Sequence, residues 1–97
     1  MAMRRPAEAF PAGEFIKEEM EERGWTQGDL AAVMGSPLGT VSELILGKRG
    51  VTPETARRLA AAFGTSPELW MRLDSAYQLS RLDHDDTDII QRRGQLY

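Results

Sequence analysis

The 97-residue chain contains no cysteine and a single histidine, His84. The first absence excludes disulfides, thiolate metal sites and cysteine nucleophiles. The second excludes a metal site built from several imidazoles. No apolar run approaches the roughly 18 residues that a membrane span needs. The N-terminus, Met1-Ala2-Met3-Arg4-Arg5-Pro6, carries arginines with no apolar stretch behind them, so no signal peptide is legible. The carboxylates fall mostly on helix surfaces, and with one histidine near the chain end no nucleophile or acid–base pair assembles; an enzyme is not expected. These absences leave a cytosolic binding module without metal or cofactor as the expectation.

What is present suffices for one small domain. Hydrophobic residues make up 41% of the chain and charged ones 28%, a mix that supports a modest core rather than wholesale disorder. The net charge of −3 speaks against a nucleic-acid binder until it is mapped along the chain. Glu14, Glu18, Glu19, Glu21 and Glu22 face only Lys17 and Arg23. Lys48, Arg49, Arg57 and Arg58 then outnumber Glu43 and Glu54. The last stretch sets four aspartates against Arg92 and Arg93. An acidic start, a basic middle and an acidic end suggest two different partners.

Punctuation divides the chain. Residues 1–12 hold Pro6 and Pro11 without a period and read as an arm. Phe15, Ile16 and Met20 then recur at helical spacing up to Gly24. Thr26 with Asp29 forms a capping-box-like start. The helix behind it is expected to bury Leu30, Ala31, Val33 and Met34 and to end at Gly35. Ser36-Pro37 reads as a cap followed by proline at the first helical position, with Leu38, Val41, Leu44 and Ile45 behind it and Gly47 as the stop. Thr52-Pro53 and Ser66-Pro67 repeat the grammar. The first leads Ala56, Leu59, Ala60 and Phe63; the second leads Leu69, Trp70, Leu73, Ala76 and Tyr77, out to about Leu82. No segment alternates with period two. The expected fold is all-α, a compact five-helix domain over residues 13–82, followed by an acidic tail or connector over residues 83–97. In that tail residues 89–97 are compatible with a short helix or a strand.

The informative segment runs from Gln27 to Leu46. Ala31 stands where two helices cross closely, and Gly35 can take the positive φ of a tight turn. Val41 and Leu44 pin the second helix onto the first. A small residue, a glycine, a β-branched residue and an aliphatic at these offsets are the sequence form of a helix-turn-helix at helices 2 and 3.

Gly24-Trp25-Thr26-Gln27-Gly28-Asp29-Leu30-Ala31 resembles the start of a lambda-repressor-like helix-turn-helix domain. Residues 47–56 (GKRGVTPETA), 64–70 (GTSPELW) and 11–19 (PAGEFIKEE) narrow the resemblance to HigA-type antitoxins. It covers roughly residues 10–82. It implies a homodimer that binds palindromic operator DNA, represses its own transcription and neutralises a HigB-type toxin, usually a ribonuclease.

In such domains the second helix of the motif enters the major groove. Here that helix offers Ser36, Pro37, Leu38, Gly39, Thr40, Ser42 and Glu43, none of them Arg, Lys, Asn or Gln, the side chains of strong bidentate readout. Leu46 stands where the family often has asparagine. Leu38 suits a thymine methyl, Thr40 and Ser42 suit base or phosphate, and Glu43 can accept from a cytosine amine while repelling phosphate. Gln27, Lys48 and Arg49 are the expected phosphate contacts, although cations also suit a helix C-terminus. Arg57 and Arg58 read as a solvated helix face. Trp25 and Trp70 read as core or interface anchors, and Trp70, Leu73 and Tyr77 form the expected dimer stripe. The glutamates Glu14, Glu18, Glu21 and Glu22 read either as a solubility face or as a toxin-facing one. His84 among aspartates reads as acidic linker rather than as an ion site. The apolar reading helix and the acidic net charge keep open a protein-interaction module, or a stand-alone regulator of the same fold, whose DNA binding is weak or lost. Residues 90–97 resemble the connector of longer relatives. They read either as what remains of a shortened relative or as a tail docking Ile89, Ile90, Leu96 and Tyr97 on the dimer or the toxin.

Overall fold

The computed structural model describes residues 10–82 and 86–97. These form six helices and no strand: α1 (Ala12–Arg23), α2 (Gln27–Met34), α3 (Leu38–Leu46), α4 (Pro53–Phe63), α5 (Pro67–Arg81) and α6 (Thr87–Leu96). The expected five become six because residues 87–96 add a helix, the first of the two forms expected for the chain end, to the five-helix domain. His84 lies outside the described residues, as do Asp83 and Asp85 on either side of it.

Local chemistry explains the boundaries. The Thr26 hydroxyl accepts from the Asp29 amide at 3.1 Å, and the Asp29 carboxylate accepts from the Thr26 amide at 2.8 Å, a reciprocal capping box. Thr52 and Ser66 each accept an N3 amide at 3.2 Å, with proline behind them at N1. Ser36-Pro37 departs from that grammar. The Ser36 amide closes the end of α2 on the Ala31 carbonyl at 3.0 Å. The chain stays extended through Pro37, which becomes the N-cap of α3 with no side-chain bond.

Ile16, Val41, Leu30, Leu59 and Trp70 are sealed in one core shared by α1 to α5. Gly13 lets α1 approach α3 closely: a Cβ there would overlap the Ile45 carbonyl. Trp70 is 1% exposed and donates its indole N–H to Thr65 Oγ1 at 2.7 Å. It is therefore core and leaves the expected dimer stripe, since a side chain sealed inside one protomer has no surface to share. Val33 goes the other way, at 52% exposed. It lies about 100° around α2 from the Leu30–Met34 side that meets the core.

Two arginines act as clamps. Arg23 donates to the Phe63 carbonyl at 3.0 Å and lies over the Phe63 and Trp25 rings, joining the end of α1 to the end of α4. Arg58, expected as a solvated residue, donates from α4 to the Met34 carbonyl at 2.7 Å and to that of Gly35 at 3.3 Å. It supplies a cation to the C-terminal carbonyls of α2, where the helix dipole favours one.

Candidate nucleic-acid interface

The chain direction turns by 116° between α2 and α3, within the range of roughly 90–120° of helix-turn-helix units. The turn depends on Gly35 at φ 66°, where any side chain would be strained. Val41, Leu44 and Ile45 bury one side of α3. The opposite side carries Gly39, Ser42, Glu43 and Leu46, with Leu46 64% exposed. Leu38, 55% exposed, borders it at the N-terminal end. Ser36 and Thr40 lie on another flank, lining a groove with Glu54, Thr55 and Arg58 of α4. The expected contacts thus divide: Ser42 and Glu43 share the outward side of α3, Leu38 borders it, and Ser36 and Thr40 face the edge toward α4. Gln27 is exposed in the first turn of α2.

One pairing was not visible in the sequence. The Arg49 guanidinium donates to Glu43 Oε1 through Nε at 3.2 Å and through Nη2 at 2.8 Å. Gly47, in the left-handed conformation at φ 75°, folds the chain back so that residues six apart meet. The carboxylate expected to repel phosphate is therefore neutralised by a cation expected to bind it. Lys48 is exposed beside this pair. The loop behind them is tied to α5: Val51 is buried, and its amide donates to Asp74 Oδ2 at 3.2 Å.

Glu14, Glu18, Glu21 and Glu22 come together on one exposed face of α1. Ala12, Ile16 and Met20 bury the other face, which packs on α3 and α5. Of the remaining dimer candidates, Leu73 and Tyr77 are half-buried on α5, and Arg81 lies over the Tyr77 ring at 5.4 Å. No single helix among the described residues is long and apolar enough to cross a membrane.

The helix-turn-helix family profile matches residues 16–70. The chain is 44% identical over 78 residues to antitoxin HigA-1 of Vibrio cholerae, covering 78% of this chain and 70% of that protein. A solved addiction-module antidote protein of the HigA family from Coxiella burnetii superposes with a TM-score of 0.76 at 31% identity, covering 92% of this chain and 95% of the other. Antitoxin HigA of Pseudomonas aeruginosa, solved with the higBA promoter, superposes at 0.76 with 27% identity over 88% of this chain and 94% of the other. The chain belongs to the helix-turn-helix family and, within it, to the HigA-type antitoxins. These are transcription regulators and not enzymes.

Proposed function

We propose that this chain represses its own operon as a cytoplasmic homodimer on palindromic operator DNA and neutralises a HigB-type ribonuclease. The observation that carries the DNA half is α3. Its inner side is locked into the core, and its outer side carries the partly exposed Ser42 and Glu43 and the exposed Leu46, with Lys48 and Arg49 at its C-terminal end. Two copies would reach half-sites about one turn apart, ~34 Å. Leu38 and Leu46 suit thymine methyls, Ser42 and Thr40 suit base edges or phosphates, and Gln27, Ser36 and Lys48 suit the backbone. Sequence discrimination is accordingly modest, and phosphates supply much of the affinity. A mobility-shift titration against the upstream DNA, repeated across salt, tests this. Binding must weaken steeply as salt rises, and salt-independent retention or no shift would refute it.

The toxin half rests on kinship and charge. A ribonuclease holds a polyanion, so a basic active face is expected, and the acidic face of α1 complements it. Co-purification with the product of the neighbouring gene, lost when Glu14 and Glu21 are reversed, supports this surface. The absence of Arg, Lys, Asn and Gln from the outward side of α3 favours the second reading, a protein-interaction module with weak DNA binding. Toxin capture without any operator shift would select that one.

A further inference from the structure

Most of the large apolar side chains that the fold leaves exposed lie at its C-terminal end: Leu79, Leu82, Ile89, Ile90, Leu96 and Tyr97. Helix α6 buries no residue, and among the described residues no helix packs extensively along it. At about 100° per residue, Ile89, Ile90 and Leu96 fall on one face of α6, and Tyr97 follows as its C-cap. Arg93 stands in the middle of that face and Arg92 at its border. An apolar face with two cations in it fits an apolar groove with an anionic rim. The fold holds one: a 140 Å³ groove between α1 and α5, lined by Phe15, Leu69 and Leu73 and rimmed by Glu18, Glu19 and Glu22.

We propose that α6 docks in the α1–α5 groove of a second copy of this chain, reciprocally, with Arg92 and Arg93 against Glu18 and Glu22. The second copy is the occupant because helix and groove are complementary in charge as well as in apolarity. Tyr77, half-buried on α5, lies within about 80° of Leu69 and Leu73 around that helix and extends the same surface. A reciprocal exchange covers both surfaces at once and closes with two-fold symmetry. The inference rests on the homodimer reading and deepens it by naming what each protomer contributes. Glu14 and Glu21 lie outside the groove lining and stay available to a basic toxin.

Charge exchange in the full-length chain tests this by sedimentation. One variant carries Arg92→Glu with Arg93→Glu; the other carries Glu18→Lys with Glu22→Lys. Each alone opposes like charges, and its dimer dissociation constant should rise roughly tenfold or more. An equimolar mixture restores opposite charges at both docks, so it should recover dimers near wild-type affinity. All four positions are exposed, and far-ultraviolet circular dichroism checks that each variant folds. Variants that dimerise like wild type overturn the docking while leaving the dimer standing. A wild-type chain that sediments as a monomer overturns both, and the operator shift reports DNA binding separately. Rescue only when all four substitutions sit in one chain, with none on mixing, overturns the exchange in favour of α6 folding back on its own groove.

Discussion

The Glu43–Arg49 pair makes a prediction that separates it from ordinary surface charge. The two side chains are 46% and 48% exposed, so in the free protein their contact at 2.8 Å stabilises by less than about 1 kcal/mol. On DNA the same pair should do more. If Arg49 reaches a phosphate, Arg49→Ala removes one counterion-releasing contact and flattens the salt slope by about 0.9. It also leaves the Glu43 carboxylate unneutralised beside a polyanion. At ~7 Å in water that repulsion is about 0.6 kcal/mol per phosphate, near threefold in affinity. Arg49→Ala should therefore cost more than Lys48→Ala, and Glu43→Gln alone should tighten binding two- to fivefold. In the Glu43→Gln background, Arg49→Ala should cost only what Lys48→Ala costs. Fluorescence anisotropy on an operator duplex at several salt concentrations reads all four corners of the cycle. Equal costs for Arg49→Ala in both backgrounds, with Glu43→Gln silent, would sink the coupling and move the DNA face away from this end of α3.

Gly13→Ala should destabilise by about 2 kcal/mol or more, because the new Cβ meets the Ile45 backbone rather than a yielding side chain; an unchanged melting temperature would contradict the close α1–α3 approach. Arg58→Ala should lower stability by roughly 1 kcal/mol, discounted for its partial exposure. It should weaken operator binding with little change in salt slope, since it positions α2 rather than binding phosphate; a slope falling by a full unit would make Arg58 a phosphate contact instead. Tyr77→Glu should give folded monomers that bind DNA weakly, and a variant that sediments as a dimer would put the interface elsewhere. Reversing Glu14 and Glu21 should slow association with the toxin in stopped-flow mixing. An unchanged rate there, with binding lost on removal of residues 83–97, would move the toxin surface to the tail.

What the sequence discloses here follows from what repeats along a chain. Helix starts at Thr26, Thr52 and Ser66, stops at Gly24, Gly35, Gly47 and Gly64, and core stripes such as Ala56, Leu59, Ala60 and Phe63 depend on neighbours within one or two turns. Local spacing encodes them. The departures arise where a group is used by something outside its own helix. The Ser36 amide is already committed to α2 when α3 begins. Trp70 shows the same helical spacing whether it faces a partner or its own core. What places it inside is Phe63 at 5.7 Å and Thr65 at 2.7 Å, contacts that depend on how α4 meets α5.

The candidate nucleic-acid interface divides in the same way. Its composition was legible: a reading helix poor in bidentate side chains, with cations after it. Its charge balance was not, because the partner of Glu43 sits across a left-handed turn, at a separation no helical period singles out. Arg58 and Asp74 hold the helix-turn-helix unit and the loop behind it from α4 and α5, each more than twenty residues away. An apolar reading helix puts most of its discrimination into shape, and shape is only as sharp as the placement of the backbone carrying it. If α3 reads the operator, the groups that set specificity in this chain include residues that touch no base. Softening their clamps should blur the preferred operator before it abolishes binding, a loss that competition with scrambled duplexes would measure as a narrowing specificity ratio at nearly constant nonspecific affinity.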